Sequence, residues 1–558
     1  MVRLVALALG VAAVLVAIPV IVFSPTVITD VYCGGWIPIV APTALVLWIA
    51  MSIHERRAGR QLAGWTAAFV GVALAALLLH HGARAPQVLS GSYVRAWSQF
   101  HYYTGSKYFD DLGYFGLYAA TVAADAEHRA GGGAEPHWGH LRKVRDLRTY
   151  RVRPTEQILA GWDPATMAPE RLAELGADTR FLRGHLDDDQ SARVVQDLGY
   201  NPAPPWTVLG QAASRAISPG GSGWALLTSS DLWMQLIVLG ALLWGFGLRT
   251  AALGTIWLHA NPMNQTLMLG GLFNYDWLAA SVLGFAAYHR GKPTVAGVAF
   301  AWAAMTRVFP GFLVLPVLWR AAVGLVKRQP GGDQRRFAIV FVVCCALLFG
   351  ASHTTGRGLQ TWPEWLHKIS LHNEHHVTSS SRRIGLARLV RHVPSDKAFL
   401  DAARRRIPKE LAERIATRKV VFTVLGLLML ALALRGTSDG ETMILMLFAV
   451  WLLAVSSRYY GSIWVLLLCL PHVRSRGSPT LATPWTRFLL LLMLAFFYAW
   501  GSKTAQYIAL NYEAAILFVG LCGIYWRERR RRSEAGANAS SKIDMAGTGK
   551  AVPHPVRD

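Results

Sequence analysis

Charged residues are scarce in this sequence. They make up 16% of the 558 residues, whereas a soluble protein uses about a quarter. The hydrophobic fraction is 53%, and 21 residues are tryptophan. A lipid-facing surface accounts for both features, because it excludes charge and because indole rings favour the boundary between headgroups and hydrocarbon. The composition therefore predicts an integral membrane protein.

Cysteine and acidic residues are few as well. The five cysteines form no Cys-x-x-Cys pair and no zinc-type spacing with histidine, and none lies between residues 81 and 228. Acidic residues number 33 against 56 basic ones, for a net charge of +23. The basic residues stand in short clusters between apolar runs, which is typical of cytoplasmic loops rather than of a nucleic-acid-binding face. We therefore expect a membrane, and no nucleic acid, as partner.

Apolar runs recur along the chain at lengths that cross a bilayer or nearly do so, given about 20 residues for a straight span. They are centred on residues 4–24, 35–53, 63–80, 229–248, 251–267, 270–287, 294–307, 309–325, 337–351, 418–434, 441–456, 460–472, 486–501 and 508–526. The first run is followed by no clear cleavage site, so we interpret it as an anchored helix rather than a signal peptide. Pro310 predicts a broken helix pair at 294–325. The expected fold class is an all-α polytopic membrane bundle of about 12–14 transmembrane helices.

The basic clusters orient the chain, because cytoplasmic loops are enriched in Lys and Arg. Placing these clusters inside puts both termini in the cytoplasm and three segments outside: two long polar ones and the short turn 456–460. The first of these, 81–228, is long enough for a small domain. The expected parts are N-terminal helices 1–80, an outer loop 81–228 with amphipathic helices, helices 229–351 with the broken pair, a second outer segment 352–417, helices 418–526 and a disordered basic cytoplasmic tail 527–558. The expected location is a bacterial inner (plasma) membrane.

The outer loop begins with an aromatic stretch at residues 101–118, where Tyr and Phe recur at three- and four-residue spacing. This spacing predicts an amphipathic helix that lies on the membrane surface. Asp110 and Asp111 close the stretch and could act as a general base or hold a divalent metal. The alternative is that both carboxylates simply face water at a helix end, ahead of Gly113.

Two ionisable residues lie within or beside apolar runs. Arg307 stands just before Pro310, and a charge in such a place is expensive and usually functional. Its guanidinium could bind a lipid phosphate through two hydrogen bonds, or it could extend to the headgroups without a specific role. Asp276, at the mouth of another run, could bind a substrate hydroxyl or act as a base, or it could cap its helix.

Two later segments carry further basic groups. His372 and His376 have the i, i+4 spacing of a metal-binding pair, but no HExxH signature accompanies them. Binding of phosphate or sugar, with the help of Arg383, is favoured over zinc, and a solvated basic face fits equally well. Arg458 stands in an outer turn at 456–460, where we expect it to point with two tyrosines into the outer cavity. Aromatic residues of the interfacial belt are the alternative there.

Three stretches resemble the GT-C superfamily of membrane glycosyltransferases, and most closely the family 87 mannosyltransferases that use polyprenol-phosphate-mannose. They are residues 101–118, 291–310 and 456–460. The resemblance implies a GT-C-like bundle with a large periplasmic loop, a polyprenyl-phosphate sugar as donor and a lipid or glycan as acceptor. The expected catalytic residues are Asp110 and Asp111. The expected binding residues for substrate or lipid phosphate are Arg307, His101, Lys107, Asp276, His372, His376, Arg383 and Arg458. We assign no metal ligand and no certain cofactor, and a divalent metal stays an open alternative.

The chain departs from the family pattern in three ways. Family members usually place the catalytic aspartate just before the Tyr-Tyr pair, where this chain has residues 98–101, Ser-Gln-Phe-His. The basic residue before the proline is Arg307 instead of lysine, and the first outer loop follows the third helix rather than the first. The expected function is hexosyl transfer by general-base attack with phosphate as the leaving group. A transporter or lipid-handling protein, and a pseudoenzyme on the same scaffold, are the alternatives.

Overall fold

The computed structural model describes residues 37–81, 84–133, 138, 141–261, 269–328, 332–379, 383–391, 409–454, 456–474, 481–497 and 503–547. The predicted first run at 4–24 lies outside these residues. The described chain is nearly all helical. Its apolar part is a bundle of helices at Ile37–Ala58, Ala63–His81, Ser230–Phe246, Leu248–His259, Asp276–His289, Pro293–Arg307, Pro310–Val326, Asp333–Ala351, Lys409–Leu434, Asp439–Leu445, Leu447–Leu453, Leu470–Val473, Ala482–Phe497 and Lys503–Gly547, with a 3-10 segment at Arg458–Cys469.

A second set of shorter helices forms the polar part of the molecule. Their bounds are Ala85–Leu89, Ala96–Gln99, Gly105–Lys107, Phe109–Leu112, Leu117–Ala130, Thr155–Ala160, Pro169–Arg183, Asp188–Val194, Pro204–Ala216, Trp224–Thr228 and Thr361–Ser379. The short helix Leu386–Arg391 belongs to the bundle instead, because Leu386 and Leu389 pack in the bundle core. A π-helical turn lies at Phe100–Thr104, and 3-10 turns lie at Pro164–Thr166, Ser352–Thr354 and Gly358–Gln360. Two antiparallel strand pairs complete the described elements, Lys143–Asp146 with Arg151–Pro154 and Arg383–Ile384 with Ser456–Ser457.

Four helical stretches are long and apolar enough to cross a membrane: Ser230–His259, Asp333–Thr354, Thr417–Leu434 and Ala509–Glu534. Shorter apolar helices accompany them at Ala63–Leu78, Pro310–Val326, Tyr459–Val473 and Ala482–Ala495. The first of the four turns at Gly247, where φ is +80°. Gly254 then packs against Leu242, because a Cβ on Gly254 would lie 2.6 Å from a Leu242 methyl carbon. The described part of the two runs predicted at 229–248 and 251–267 therefore forms two helices, Ser230–Phe246 and Leu248–His259. The number of crossings stays a prediction.

The bundle turns large apolar side chains outward. Ile339 is 53% exposed, Leu347 66% and Val420 61%. Each exposed Å² of apolar surface costs about 25 cal/mol in water, and that penalty disappears in hydrocarbon. The all-α class and the apolar exterior are what the sequence predicted for a membrane protein.

Residues 84–228 pack around a hydrophobic core of their own, separate from the core of the bundle. We call this unit the polar domain. The segment after helix Asp333–Ala351 packs on it, since Gly356 N–H donates to Asp110 Oδ1 at 2.8 Å and Trp365 Nε1 donates to Asn201 O at 3.3 Å. The first predicted outer segment and residues 352–379 of the second therefore lie together at one end of the bundle.

The prediction of one amphipathic surface helix at 101–118 is wrong. The stretch is divided into short helical pieces, and Gly113, with φ at +54°, ends the last of them. Its rings are buried in the core of the polar domain, with Tyr103, Tyr108 and Phe109 each 0% exposed. Helices of the polar domain pack against several sides of the stretch, so its aromatic residues fill an interior rather than one lipid-facing side.

The predicted disorder of the C-terminal tail is also wrong for residues 527–547. The last helix continues through this region, from Lys503 to Gly547. Two ion pairs at i, i+4 spacing support it, Arg530 with Glu534 at 2.9 Å and Arg532 with Glu528 at 3.7 Å. Residues 548–558 lie outside the described chain.

One buried amine joins helix Thr361–Ser379 to the polar domain. Lys368 is 0% exposed, and its Nζ has no hydrogen-bond partner in the described part of the chain. The Nζ atom lies 4.8 Å from the ring centre of Tyr150 and 5.5 Å from that of Phe115. Burial, and then the positive charge of Arg145, lower the pKa of Lys368 to about 7, against the opposing influence of Asp197.

We expect Lys368→Met to stabilise the protein at pH 7, because it removes an ammonium group that lacks hydrogen bonds. The folded pKa lies below the unfolded value of 10.5, so the unfolded state binds more protons between these values. The free energy of unfolding of the wild type therefore rises with pH between pH 7 and pH 10.5, by about 1.4 kcal/mol per pH unit, and this contribution is absent below pH 7. Thermal unfolding of the full chain at pH 7 and pH 9 measures this rise, which Lys368→Met should flatten and the exposed Lys143→Met should not. Identical pH dependence in wild type and Lys368→Met contradicts the prediction.

Candidate functional site

The break between helices Pro293–Arg307 and Pro310–Val326 sets the position of Arg307. Val308 has φ +55° and ψ −55°, and Phe309 N–H donates to the carbonyl of Arg307. This is a γ-turn of the rare strained kind, and positive φ is exceptional for a β-branched residue. Pro310 then begins the second helix, where its missing N–H is tolerated. The predicted broken helix pair is confirmed, and it leaves Arg307 at the end of the bundle beside the polar domain.

The guanidinium of Arg307 makes only weak hydrogen bonds. Its Nη2 donates to Tyr102 Oη at 3.3 Å, and its Nη1 lies 3.4 Å from Thr306 O. The buried Nε has no partner in the described chain. The guanidinium carbon also lies 5.7 Å from the ring centre of Tyr102. Arginine offers five N–H donors in a fixed fork, so Arg307 retains donors that an anion could use.

Asp276 faces the same region from the start of its own helix. The residue is 5% exposed, and its Oδ2 accepts from Trp302 Nε1 at 2.8 Å. The buried Oδ1 has no hydrogen-bond partner of normal geometry in the described residues. Asp276 and Arg307 lie within electrostatic range of each other, yet no ion pair joins these two described side chains. The site therefore holds a carboxylate and a guanidinium that face one region without neutralising each other directly.

A turn of the chain holds Asp276 in this position. Asn274 Nδ2 donates to Asp231 Oδ2 at 2.8 Å and to Ser98 Oγ at 2.9 Å, and Asn274 O accepts from Trp277 Nε1 at 3.0 Å. Phe273 within the turn has φ +48°. Asp231 is 0% exposed and belongs to the first turn of helix Ser230–Phe246. This network ties the bundle to the polar domain directly behind Asp276.

Aromatic rings close another side of the site. Tyr460 lies 4.8 Å from Phe309 and 5.3 Å from Trp277, measured between ring centres, and Tyr459 lies 4.3 Å from Tyr460. These tyrosines follow the strand Ser456–Ser457, which pairs with Arg383–Ile384. The structure thus brings together Asp276, Arg307 and the predicted turn at 456–460.

Arg383 lies next to this turn, because its Nη1 donates to Ser457 Oγ. His372 is half-buried on helix Thr361–Ser379. The side chains of His376 and Arg458 lie outside the described residues. In the described parts of the chain, no group of three or more His, Cys, Asp or Glu residues is arranged to hold a metal ion.

Asp110 and Asp111 have a different set of neighbours. Asp110 Oδ1 accepts from Gln211 Nε2 at 2.6 Å and from Gly356 N–H at 2.8 Å, and Asp110 Oδ2 pairs with Arg215. Burial would raise the pKa of Asp110, but these hydrogen bonds outweigh it and hold the pKa below its usual value. Asp111 Oδ2 lies 3.3 Å from Arg171 Nη2. A carboxylate held in its ionised form by several donors is a weak general base.

His101 and Lys107 have internal partners as well. His101 Nε2 lies 2.7 Å from Tyr118 Oη, and His101 Nδ1 lies 2.9 Å from Trp97 O. Lys107 Nζ pairs with Asp178 at 2.7 Å and Glu174 at 2.8 Å. These contacts stabilise the polar domain. The neighbouring residue Tyr102, on the π-helical turn, is the one that reaches Arg307, and π-turns are frequent at functional sites.

Sequence reasoning missed three residues of the site: Tyr102, Asp231 and Trp302. Of these, Asp231 carried a usable signal, since it is a carboxylate at the start of a long apolar run. Comparison with known proteins adds no further site residue. No family model, no curated protein and no solved structure matches this chain.

Proposed function

We propose that this chain is a membrane glycosyltransferase that moves a sugar from a polyprenyl-phosphate donor to an acceptor hydroxyl. The observation that carries the proposal is that Arg307 and Asp276 lie within electrostatic range of each other at the end of an apolar bundle without forming an ion pair. Both side chains retain hydrogen-bonding capacity in the described chain. A lipid-linked phosphate suits such a place, because its tail belongs in the membrane and its charged group at the boundary.

Arg307 is proposed to bind the donor phosphate. Two of its N–H groups can face two oxygens of one phosphate, which lysine cannot do with the same geometry. As the bond between the sugar C1 and the phosphate oxygen breaks, negative charge grows on the leaving phosphate. A fixed cation in a site with little water stabilises that charge more in the transition state than in the bound donor.

Asp276 is proposed as the general base in place of Asp110 and Asp111. The acceptor hydroxyl forms the new bond to C1 while its proton passes to the Asp276 carboxylate, and polyprenyl phosphate leaves beside Arg307. Trp302 orients the carboxylate through Oδ2 and leaves Oδ1 for the acceptor. Asp110, by contrast, already accepts hydrogen bonds from three groups.

The direct test uses the full chain in vesicles that contain polyprenyl-phosphate-[3H]mannose or polyprenyl-phosphate-[3H]glucose, with a bacterial membrane extract as the source of acceptor. We expect label to move from the donor to a new lipid or glycan product, with release of polyprenyl phosphate. Retention of all label in both donors overturns the proposal. Consumption of donor that is confined to one leaflet would support a site open to that face of the membrane. The bacterial inner-membrane location and the cytoplasmic termini stay predictions.

Asp110→Asn distinguishes the two candidate bases. We expect this variant to retain transfer within about threefold of wild type, because the amide keeps the position near Gln211 and Gly356. Its ion pair with Arg215 is lost, and since both side chains are partly exposed, stability should fall by no more than about 1 kcal/mol. Initial transfer rates and thermal unfolding measure the two effects. A loss of transfer beyond about 100-fold, the range expected for removing a general base, would return the catalytic role to Asp110.

A further inference from the structure

A second cluster of basic side chains lies at the end of the bundle opposite the polar domain. Helix Asp276–His289 begins at the proposed active site and ends at His289, whose ring lies 5.1 Å from that of Phe246. The ring of His472 lies 5.6 Å from Phe246 as well. At 1.5 Å per residue, this end is about 20 Å from Asp276. Any ligand bound there is separate from a ligand of the Arg307 site.

One arginine of this cluster is neutralised. Arg249 donates to both carboxylate oxygens of Glu55 at 2.9 Å each. It also donates to Thr66 Oγ1 at 3.0 Å and to Leu62 O at 3.1 Å. Leu62 N–H donates to Glu55 Oε1 at 2.7 Å. The pair is therefore complete, and Glu55 has little capacity left for another cation.

Arg487 lies beside this pair and shares none of its bonds. Its guanidinium lies within electrostatic range of Arg249 and Glu55 and of the ring of His472. Arg487 forms no hydrogen bond and no ion pair with any part of the chain that the structure describes, and its Nε is buried. The residue as a whole is half-buried, so its guanidinium is partly desolvated. A partly desolvated charge with no counter-charge in the described chain lowers stability, and an anion from outside the described chain would offset that cost.

A second observation on the same helix points to the same ligand. Thr483 precedes Arg487 by four residues, so the two side chains share one face of helix Ala482–Phe497. The Thr483 Oγ1 is buried and has no hydrogen-bond partner within the described ranges. Thr483 also belongs to the first turn of a 16-residue helix, where the helix dipole favours negative charge.

We propose that Arg487 and Thr483 form a binding site for a phosphate group at the end of the bundle away from the polar domain. The guanidinium supplies charge and a two-point donor fork, and the hydroxyl supplies a further donor. The phosphate belongs either to an anionic lipid headgroup in the leaflet at that end or to a soluble phosphate. Basic pockets between transmembrane helices bind anionic headgroups by this chemistry.

The test measures thermal unfolding of the purified full chain in phosphatidylcholine–detergent micelles, with added phosphatidylglycerol in one arm and added inorganic phosphate in the other. We expect the wild type to gain about 2–5 °C in midpoint in one arm, because a ligand of the folded state stabilises it by mass action. Arg487→Gln should lose the gain, with an apparent affinity at least about tenfold lower. The exposed Arg57→Gln is the matched control and should respond as wild type does.

The outcomes separate the two sources of phosphate. A response to phosphatidylglycerol alone assigns a lipid headgroup, and a response to inorganic phosphate assigns a soluble ligand. Thr483→Val, a milder change, should weaken the response severalfold, and it keeps the test decisive if Arg487→Gln does not fold. The proposal is overturned if wild type responds in neither arm, or if neither variant responds less than wild type.

Discussion

Replacing Asp276 by asparagine should lower the rate of sugar transfer by about 10²–10⁴-fold, the contribution of a positioned general base. The asparagine side chain retains the shape and the oxygen that accepts from Trp302, so the fold and donor binding should change little. The loss should therefore fall on kcat rather than on KM. Initial rates with wild-type and variant protein in the same vesicles measure the effect.

Asp439→Asn is the matched control, since Asp439 pairs with Arg320 and accepts from Tyr288 Oη at 2.7 Å. This change should reduce stability and leave the transfer rate of the folded fraction unaltered. Full activity of Asp276→Asn would remove Asp276 from the mechanism. Equal losses of transfer in both aspartate variants would indicate a general effect on folding rather than the loss of a base.

Replacing Arg307 by alanine should reduce transfer by about 10²–10³-fold, because the leaving phosphate loses its fixed cation. Arg307→Lys should recover part of the rate, since an ammonium group supplies charge but not the two-point geometry. Both variants should also bind the donor more weakly, so the change should appear in KM as well as in kcat. Rates at several donor concentrations separate these two contributions.

Arg320→Ala serves as the control for Arg307→Ala, because Arg320 is a bundle arginine that is fully paired with Asp439, Thr437 and Thr442. It should destabilise the protein without a specific effect on donor binding. The role assigned to Arg307 fails if alanine and lysine variants transfer sugar as fast as wild type. It also fails if Arg307→Ala and Arg320→Ala lose transfer only in proportion to lost folded protein.

Residue type and local pattern predicted much of the candidate site. Arg307 was singled out because a charge in an apolar run is expensive, and Asp276 because it stands at the start of such a run. Pro310 predicted the helix break, which the structure shows at Val308. The aromatic turn at 456–460 was expected at the same cavity, and Tyr460 packs on Phe309 there.

The roles of other residues did not follow from pattern, because their partners are distant in sequence. Lys107 resembles a phosphate ligand until Asp178, 71 residues later, is seen to hold it. Asp110 is occupied by Gln211 and by Gly356, which lie 101 and 246 residues away. Tyr102 reaches Arg307 across 205 residues. No spacing rule spans such distances.

The sequence alone determined the all-α class, the apolar exterior and the helix break. Hydrophobic runs, charge clusters and proline determine these features because their effects depend only on residues nearby in the sequence. Only the tertiary structure decided which polar side chains bind one another and which keep hydrogen-bonding groups without a partner in the described chain. Asp110, His101 and Lys107 bind partners in or against the polar domain. Arg307 Nε and Asp276 Oδ1 have no hydrogen-bond partner in the described chain. Burial of an unpaired charge costs free energy of folding. Which charges are paired depends on which residues the tertiary structure brings within contact.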